Sequence, residues 1–103
     1  MKSDSGENNL VHSGDLKKRN PYFMNQTRFF KLYSNGKLEY FKDHTNLRGA
    51  LQLTSKSRVV KTAKDKFEIQ NHDRTYFLSE ADGDKLGSGT WIDKIEEVIT
   101  NLK

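Results

Sequence analysis

RFFKLYSNGKLEYF, residues 28–41, is the stretch on which the fold turns. Arg28, Phe30 and Leu32 alternate with Phe29, Lys31 and Tyr33, the period of two that marks a β-strand with two unlike faces. Leu38-Glu39-Tyr40-Phe41 reads as a second strand of the same kind. Between them stands Ser34-Asn35-Gly36-Lys37. Asn-Gly flanked by apolar-aromatic runs predicts a two-residue type I′ hairpin turn, in which both turn residues take positive φ.

Short strands of this type extend in both directions. Leu10–Lys18 reads as a strand before the hairpin, with Gly14 marking a bulge or a close backbone approach. After a Lys42–Asn46 loop, Gly49–Leu53, Ser57–Lys61, Lys66–Gln70 and Arg74–Leu78 read as four more. Asn71-His72-Asp73 makes a tight turn before the last of them. From Thr90 the period changes to 3.6: Trp91, Ile95, Val98 and Leu102 share a face with Ile92 and Ile99, and Asp93, Lys94, Glu96 and Glu97 lie opposite. Ser88 or Thr90 is the expected cap, with Asp93 three residues after Thr90 completing a capping box. The expected fold is mainly β: seven strands in a strongly bent antiparallel sheet or partly open barrel, plugged by one C-terminal helix over residues 90–102. Residues 1–9 are polar and aperiodic and read as a flexible tail, leaving residues 10–103 as one domain.

Composition narrows the function classes. The 103 residues are 33% hydrophobic and 11% aromatic, enough for one thin aromatic-rich core. There is no cysteine, which excludes disulfides and favours a reducing, intracellular setting. No apolar run approaches the roughly 20 residues of a membrane span, and no signal-peptide pattern opens the chain. The net charge of +4 conceals a split: residues 14–66 hold 13 Lys and Arg against 4 Asp and Glu, and residues 67–103 hold 4 against 8. Such polarity suits a polyanionic partner, whether lipid headgroups, an acidic peptide or nucleic acid, although lysine-rich strand edges alone produce part of it. His12, His44 and His72 have no ligand-like spacing and read as loop or surface residues, so no metal site is expected. No phosphate-binding glycine loop, calcium loop or nucleophile–base arrangement is present, and the domain reads as non-catalytic, with no cofactor.

The strongest constellation lies just upstream of the opening hairpin. Lys17, Lys18 and Arg19 end one strand and Arg28 starts the next, so a hairpin brings them to one mouth around the loop Asn20–Thr27, which contains no acid. Clustered cations repel, and an anion between them relieves the repulsion through charge-assisted hydrogen bonds. Tyr22, Phe23 and Met24 form an apolar triplet at the loop tip that either collapses on the sheet or contacts a lipid interface.

Gly14-Asp15-Leu16-Lys17-Lys18, Arg28-Phe29-Phe30, Leu38-Glu39-Tyr40-Phe41, Arg48-Gly49 and the closing Trp91 segment, taken in order, resemble a pleckstrin homology (PH) domain from Leu10 to Leu102. The segments DRTYFLSEADG and TWIDKIEEV are similar to the C-terminal PH domain of 3-phosphoinositide-dependent protein kinases. The resemblance implies a headgroup site of Lys18, Arg28, Tyr40, Arg48 and Arg74, with Arg19 adjoining it. Gln26 stands where the family pattern has a cation, and Asn20 where the kinase group often has lysine, so both are polar substitutes. The resemblance further implies a phosphoinositide-binding, membrane-targeting module of a signalling kinase, cytoplasmic and recruited peripherally to the plasma membrane. The alternative is a PH-fold protein-interaction or autoinhibitory module, with the parent kinase domain among its partners. Single-stranded nucleic acid is a third reading, from the pI of about 9.3 and the aromatics, but no RNA-binding motif supports it.

Overall fold

A computed structural model describes residues 9–19, 24–64, 66–72, 74–80 and 87–103. The strands are β1 (Leu10–Arg19), β2 (Asn25–Tyr33), β3 (Lys37–Phe41), β4 (Leu47–Gln52), β5 (Arg58–Ala63), β6 (Lys66–Gln70) and β7 (Thr75–Glu80), and the helix is α1 (Gly87–Asn101). They form one unclosed antiparallel sheet in the order β4-β3-β2-β1-β7-β6-β5. β1 is the hinge of the arrangement: it pairs with β2 along its whole length and with β7 only through Leu16–Lys18.

Alternation sets the core. Phe30 and Leu32 of β2, Leu16 of β1, Leu38 of β3, Leu51 of β4, Phe67 and Ile69 of β6 and Leu78 of β7 are buried on one face of the bent sheet. The helix lays Trp91, Ile95, Val98 and Ile99 into that face, with Ile92 and Leu102 half-buried beside them. Trp91, 1% exposed, meets His12 edge-on at 4.5 Å and Phe30 at 6.3 Å between ring centroids. His12 is therefore a half-buried strand residue packed on the core, not a loop residue.

Several expectations shift in detail. The β2–β3 connection has three residues, not two: Leu32 pairs with Leu38, and the Gly36 amide donates to the Tyr33 carbonyl at 3.0 Å. Gly36 takes φ of 92°, and a side chain there would also strike the Leu53 carbonyl oxygen, 2.6 Å from its Cβ. A three-residue loop with one left-handed glycine satisfies the same Asn-Gly signal. The bulge expected at Gly14 lies instead between Leu10 and His12, while Gly14 pairs regularly with Phe30. A Cβ at Gly14 would rest 3.7 Å from Trp91, ordinary contact, so Gly14 meets the helix closely without being sterically required. α1 begins at Gly87, so Ser88 and Thr90 lie within its first turn rather than ahead of it. At the other end of β2, residues pair with β1 from Asn25, three earlier than the sequence pattern indicates, because the polar run Asn25–Thr27 continues the ladder.

Candidate functional site

Leu102 abuts Gly36, so the helix closes the end of the sheet where the β2–β3 loop lies. The β1–β2 connection lies at the other end of β1 and β2. There the core-facing row of β1 runs Gly14, Leu16, Lys18, and that of β2 runs Phe30, Arg28, Gln26, with Lys18 paired to Gln26 and Leu16 to Arg28. The apolar faces thus end in cations at the open mouth.

Lys18 is half-buried, and its ammonium sits 5.0 Å from the centroid of the Tyr40 ring. Burial first, and then the positive charges of Arg74 and Arg28, hold its pKa below the ordinary lysine value. Arg74 arrives from the β6–β7 turn, where Asn71 and Arg74 exchange backbone hydrogen bonds of 2.9 and 3.4 Å, and its guanidinium lies 4.9 Å from the Tyr76 ring centroid. Among the described residues no acid forms an ion pair with Lys18, Arg28 or Arg74. Three of the expected cations therefore come together and repel one another.

Two residues shape this group. The Arg28 guanidinium donates to the Gln26 side-chain carbonyl at 3.1 Å and to the Thr27 backbone carbonyl at 2.9 Å. Gln26, expected only as a weakened ligand contact, therefore also orients the arginine. Tyr40 packs against Phe30 at 5.6 Å and folds across β4 at Gly49, where a Cβ would stand 2.5 Å from the tyrosine hydroxyl oxygen. Gly49 keeps that space open. The signal for it was a glycine inside a strand, which often marks close approach of another group.

Of the other expected residues, Lys17, Arg19 and Arg48 do not join the cluster. Lys17 and Arg19 flank Lys18 in an extended strand, and period-two alternation puts them on the opposite face. Arg19 packs over Phe77 of β7, 4.8 Å from its ring centroid, beside Lys66. Arg48 is the extra residue of a bulge between the pairs Tyr40–Gly49 and Phe41–Leu47; it is exposed and is not among the charges that depress Lys18. Met24 is 65% exposed. Asn20, Tyr22 and Phe23 lie outside the described residues.

An unclosed seven-stranded antiparallel sheet with one C-terminal helix is the architecture of a PH domain, and the PH-domain family model matches residues 3–103. The chain belongs to the PH-domain family. Among solved structures, the C-terminal PH domain of pleckstrin in complex with D-myo-Ins(1,2,3,4,5)P5 is 24% identical over 86% of this chain and 97% of that one, with a TM-score of 0.74. The PH domain of human oxysterol binding protein-related protein 11 is 25% identical over 99% of this chain and 88% of that one, also at 0.74. The DH/PH fragment of PDZRHOGEF, solved with human RhoA, is 18% identical over 91% of this chain and 29% of that one, again at 0.74. The likeness to the pleckstrin and PDZRHOGEF structures is one of fold. A search of curated proteins finds no match. No described helix is long and apolar enough to cross a membrane.

Proposed function

We propose that this PH domain is a non-catalytic module that binds a phosphoinositide headgroup at the mouth between Lys18, Arg28 and Arg74 and thereby targets its parent protein to an anionic membrane. The observation that carries the reading is the convergence of those three cations, with the pKa of Lys18 depressed by burial and by the other two. A phosphorylated ring would relieve the repulsion and take charge-assisted hydrogen bonds from lysine and arginine donors. The Tyr40 hydroxyl and the Gln26 amide nitrogen add neutral donors. The inositol pentakisphosphate held by the pleckstrin domain supports a ligand of this class. Arg48 and Arg19 then serve as outlying charges that attract the leaflet rather than grip the ring. Exposed Met24, with Tyr22 and Phe23 before it in the chain, is the proposed membrane contact, a second weak signal added to headgroup binding. The setting is cytoplasmic, with peripheral recruitment to the plasma membrane. The strand Arg74-Thr75-Tyr76-Phe77-Leu78 followed by the Trp91 helix supports a parent of the 3-phosphoinositide-dependent protein kinase type.

Titration with soluble inositol 1,3,4,5-tetrakisphosphate, followed by calorimetry and amide NMR shifts, tests the reading. Saturable binding that shifts Lys18 and Arg28 and is lost in Arg28→Ala supports it. Equal sedimentation with plain phosphatidylserine vesicles, indifferent to Arg28→Ala, refutes a specific pocket. One observation favours the protein-interaction reading: Gln26 replaces a cation and already engages Arg28 within the domain. Absence of any shift at Lys18 and Arg28 on titration would point there.

A further inference from the structure

A guanidinium carries N–H donors and no acceptor. Arg28 donates to the Thr27 backbone carbonyl at 2.9 Å and to the Gln26 side-chain oxygen at 3.1 Å. The oxygen of Gln26 must face the arginine, so its amide nitrogen is turned away. Among the described residues that nitrogen donates to no acceptor. Gln26 therefore brings an uncharged donor to the mouth. Its place decides what that donor can meet. In sheet order one rung of β2, β1 and β7 reads Gln26, Lys18, Leu78. Arg28 lies deeper on β2, paired with Leu16. Arg74 lies beyond Leu78 and Tyr76 on the alternating row of the last strand. Lys18 thus faces Arg28 on one side and Arg74 on the other, while the outer corner of β2 is neutral. Lys17 and Arg19 do not fill that corner, because alternation turns them to the opposite face and Arg19 packs over Phe77.

We propose, resting on the headgroup reading above, that the mouth takes an inositol ring with two monoester phosphates and gains little from a third, and that Gln26 is the residue that sets this specificity by donating its amide N–H to a ring hydroxyl. A phosphomonoester carries about −1.5 to −2 near neutral pH, so two carry about −3 to −4, close to the charge of Lys18, Arg28 and Arg74 together. Lys18, between the two arginines, bridges the pair of phosphates. A third phosphate at the β2 corner would meet a neutral amide, whereas a hydroxyl oxygen accepts from that amide with no counter-charge. A third phosphate with a cation of its own would add about ten- to a hundredfold in affinity, and here that gain is missing.

The test is calorimetry with inositol 1,4,5-trisphosphate, inositol 1,3,4-trisphosphate and inositol 1,3,4,5-tetrakisphosphate, the 1-phosphate standing in for the lipid phosphodiester. The unaltered chain is expected to bind the tetrakisphosphate no more than about threefold tighter than the better trisphosphate. Gln26→Lys supplies the missing cation and is expected to raise that ratio about tenfold. A ratio of two ligands on one sample does not depend on the folded fraction, so damage to the fold alone leaves it unmoved. The same comparison by sedimentation uses phosphatidylcholine vesicles carrying phosphatidylinositol 4,5-bisphosphate, 3,4-bisphosphate or 3,4,5-trisphosphate. Vesicle binding in the expected ratio assigns the selectivity to a lipid headgroup, and the expected ratio with soluble rings alone assigns it to a free inositol phosphate. A tetrakisphosphate preference above about threefold in the unaltered chain, or no rise in the ratio with Gln26→Lys, overturns the inference and leaves the headgroup reading standing. No saturable binding of any ring overturns both.

Discussion

At Lys18 the ammonium is withdrawn from water and faces Arg74 and Arg28, an arrangement that disfavours folding and that the proposed headgroup would relieve. Its pKa is lowered in the folded state, so between that lowered value and the unfolded 10.5 the unfolded chain holds more protons, and stability rises with pH across that window. Lys18→Met is expected to gain up to about 1 kcal/mol in urea denaturation at neutral pH, a surface-screened effect, and the gain should shrink as pH climbs toward 10.5. The same variant should lose inositol-phosphate binding. Arg28→Ala is expected to cost roughly 1.5–3 kcal/mol of binding, about ten- to a hundredfold by calorimetry. Gly49→Ala forces the Tyr40 ring off β4 and is expected to cost about 1–3 kcal/mol of stability, with a changed tyrosine near-ultraviolet circular dichroism signal. Tyr40→Phe keeps the ring packed on Phe30 and should not carry that stability cost. At this scale the sequence pattern brought Lys17, Lys18, Arg19 and Arg28 to one hairpin mouth, while the family resemblance singled out Lys18. It could not reveal that Gln26 bonds to Arg28, because a two-residue side-chain contact depends on rotamers and not on periodicity.

The elements were the most legible, since alternation and the 3.6-residue period are local properties. Strand existence and the buried helix face followed directly from Phe30, Leu32 and the Trp91 spacing, whereas loop length and the helix start did not. Helix docking carries much of the stability. Trp91→Ala removes the largest fully buried side chain and is expected to cost about 3–5 kcal/mol in chemical denaturation, a large part of the usual ~5–15. The β3–β4 turn is held differently. Asp43 accepts hydrogen bonds from the Thr45 amide and hydroxyl, both at 2.9 Å, and from the Asn46 amide at 3.0 Å. The Thr45 backbone bond first, then the Thr45 hydroxyl and the Asn46 amide, keep its pKa below 3.8. This exposed turn is thus supported above pH 3.8 and released as pH falls through the lower folded value. Asp43→Ala should speed amide hydrogen exchange at Thr45 and Asn46 at neutral pH while leaving β6 unaffected.

Across the whole molecule, apolar core and cationic mouth share the same sheet face, and the helix closes the end away from the mouth. Strand neighbours far apart in sequence were not legible from periodicity, because an alternating strand fits beside any other. The β1–β7 pairing, and with it the approach of Arg74 to Lys18, was accessible only through family resemblance. If the mouth binds an inositol phosphate, the melting transition should rise with ligand concentration, by about 2.7 kcal/mol in stability at a hundred times Kd. Arg28→Ala should flatten that rise. The dependence of β1 on β7 also bears on how the protein is made. Leu16 waits for Glu80, sixty-four positions later, before its second edge is covered. During synthesis the first hairpins can form early, but Arg74 joins Lys18 only after the chain has passed β7. A nascent chain shorter than that carries an uncovered β1 edge and an incomplete trio of charges. If the mouth is the headgroup site, partly made chains that end before β7 should show little affinity for inositol phosphate.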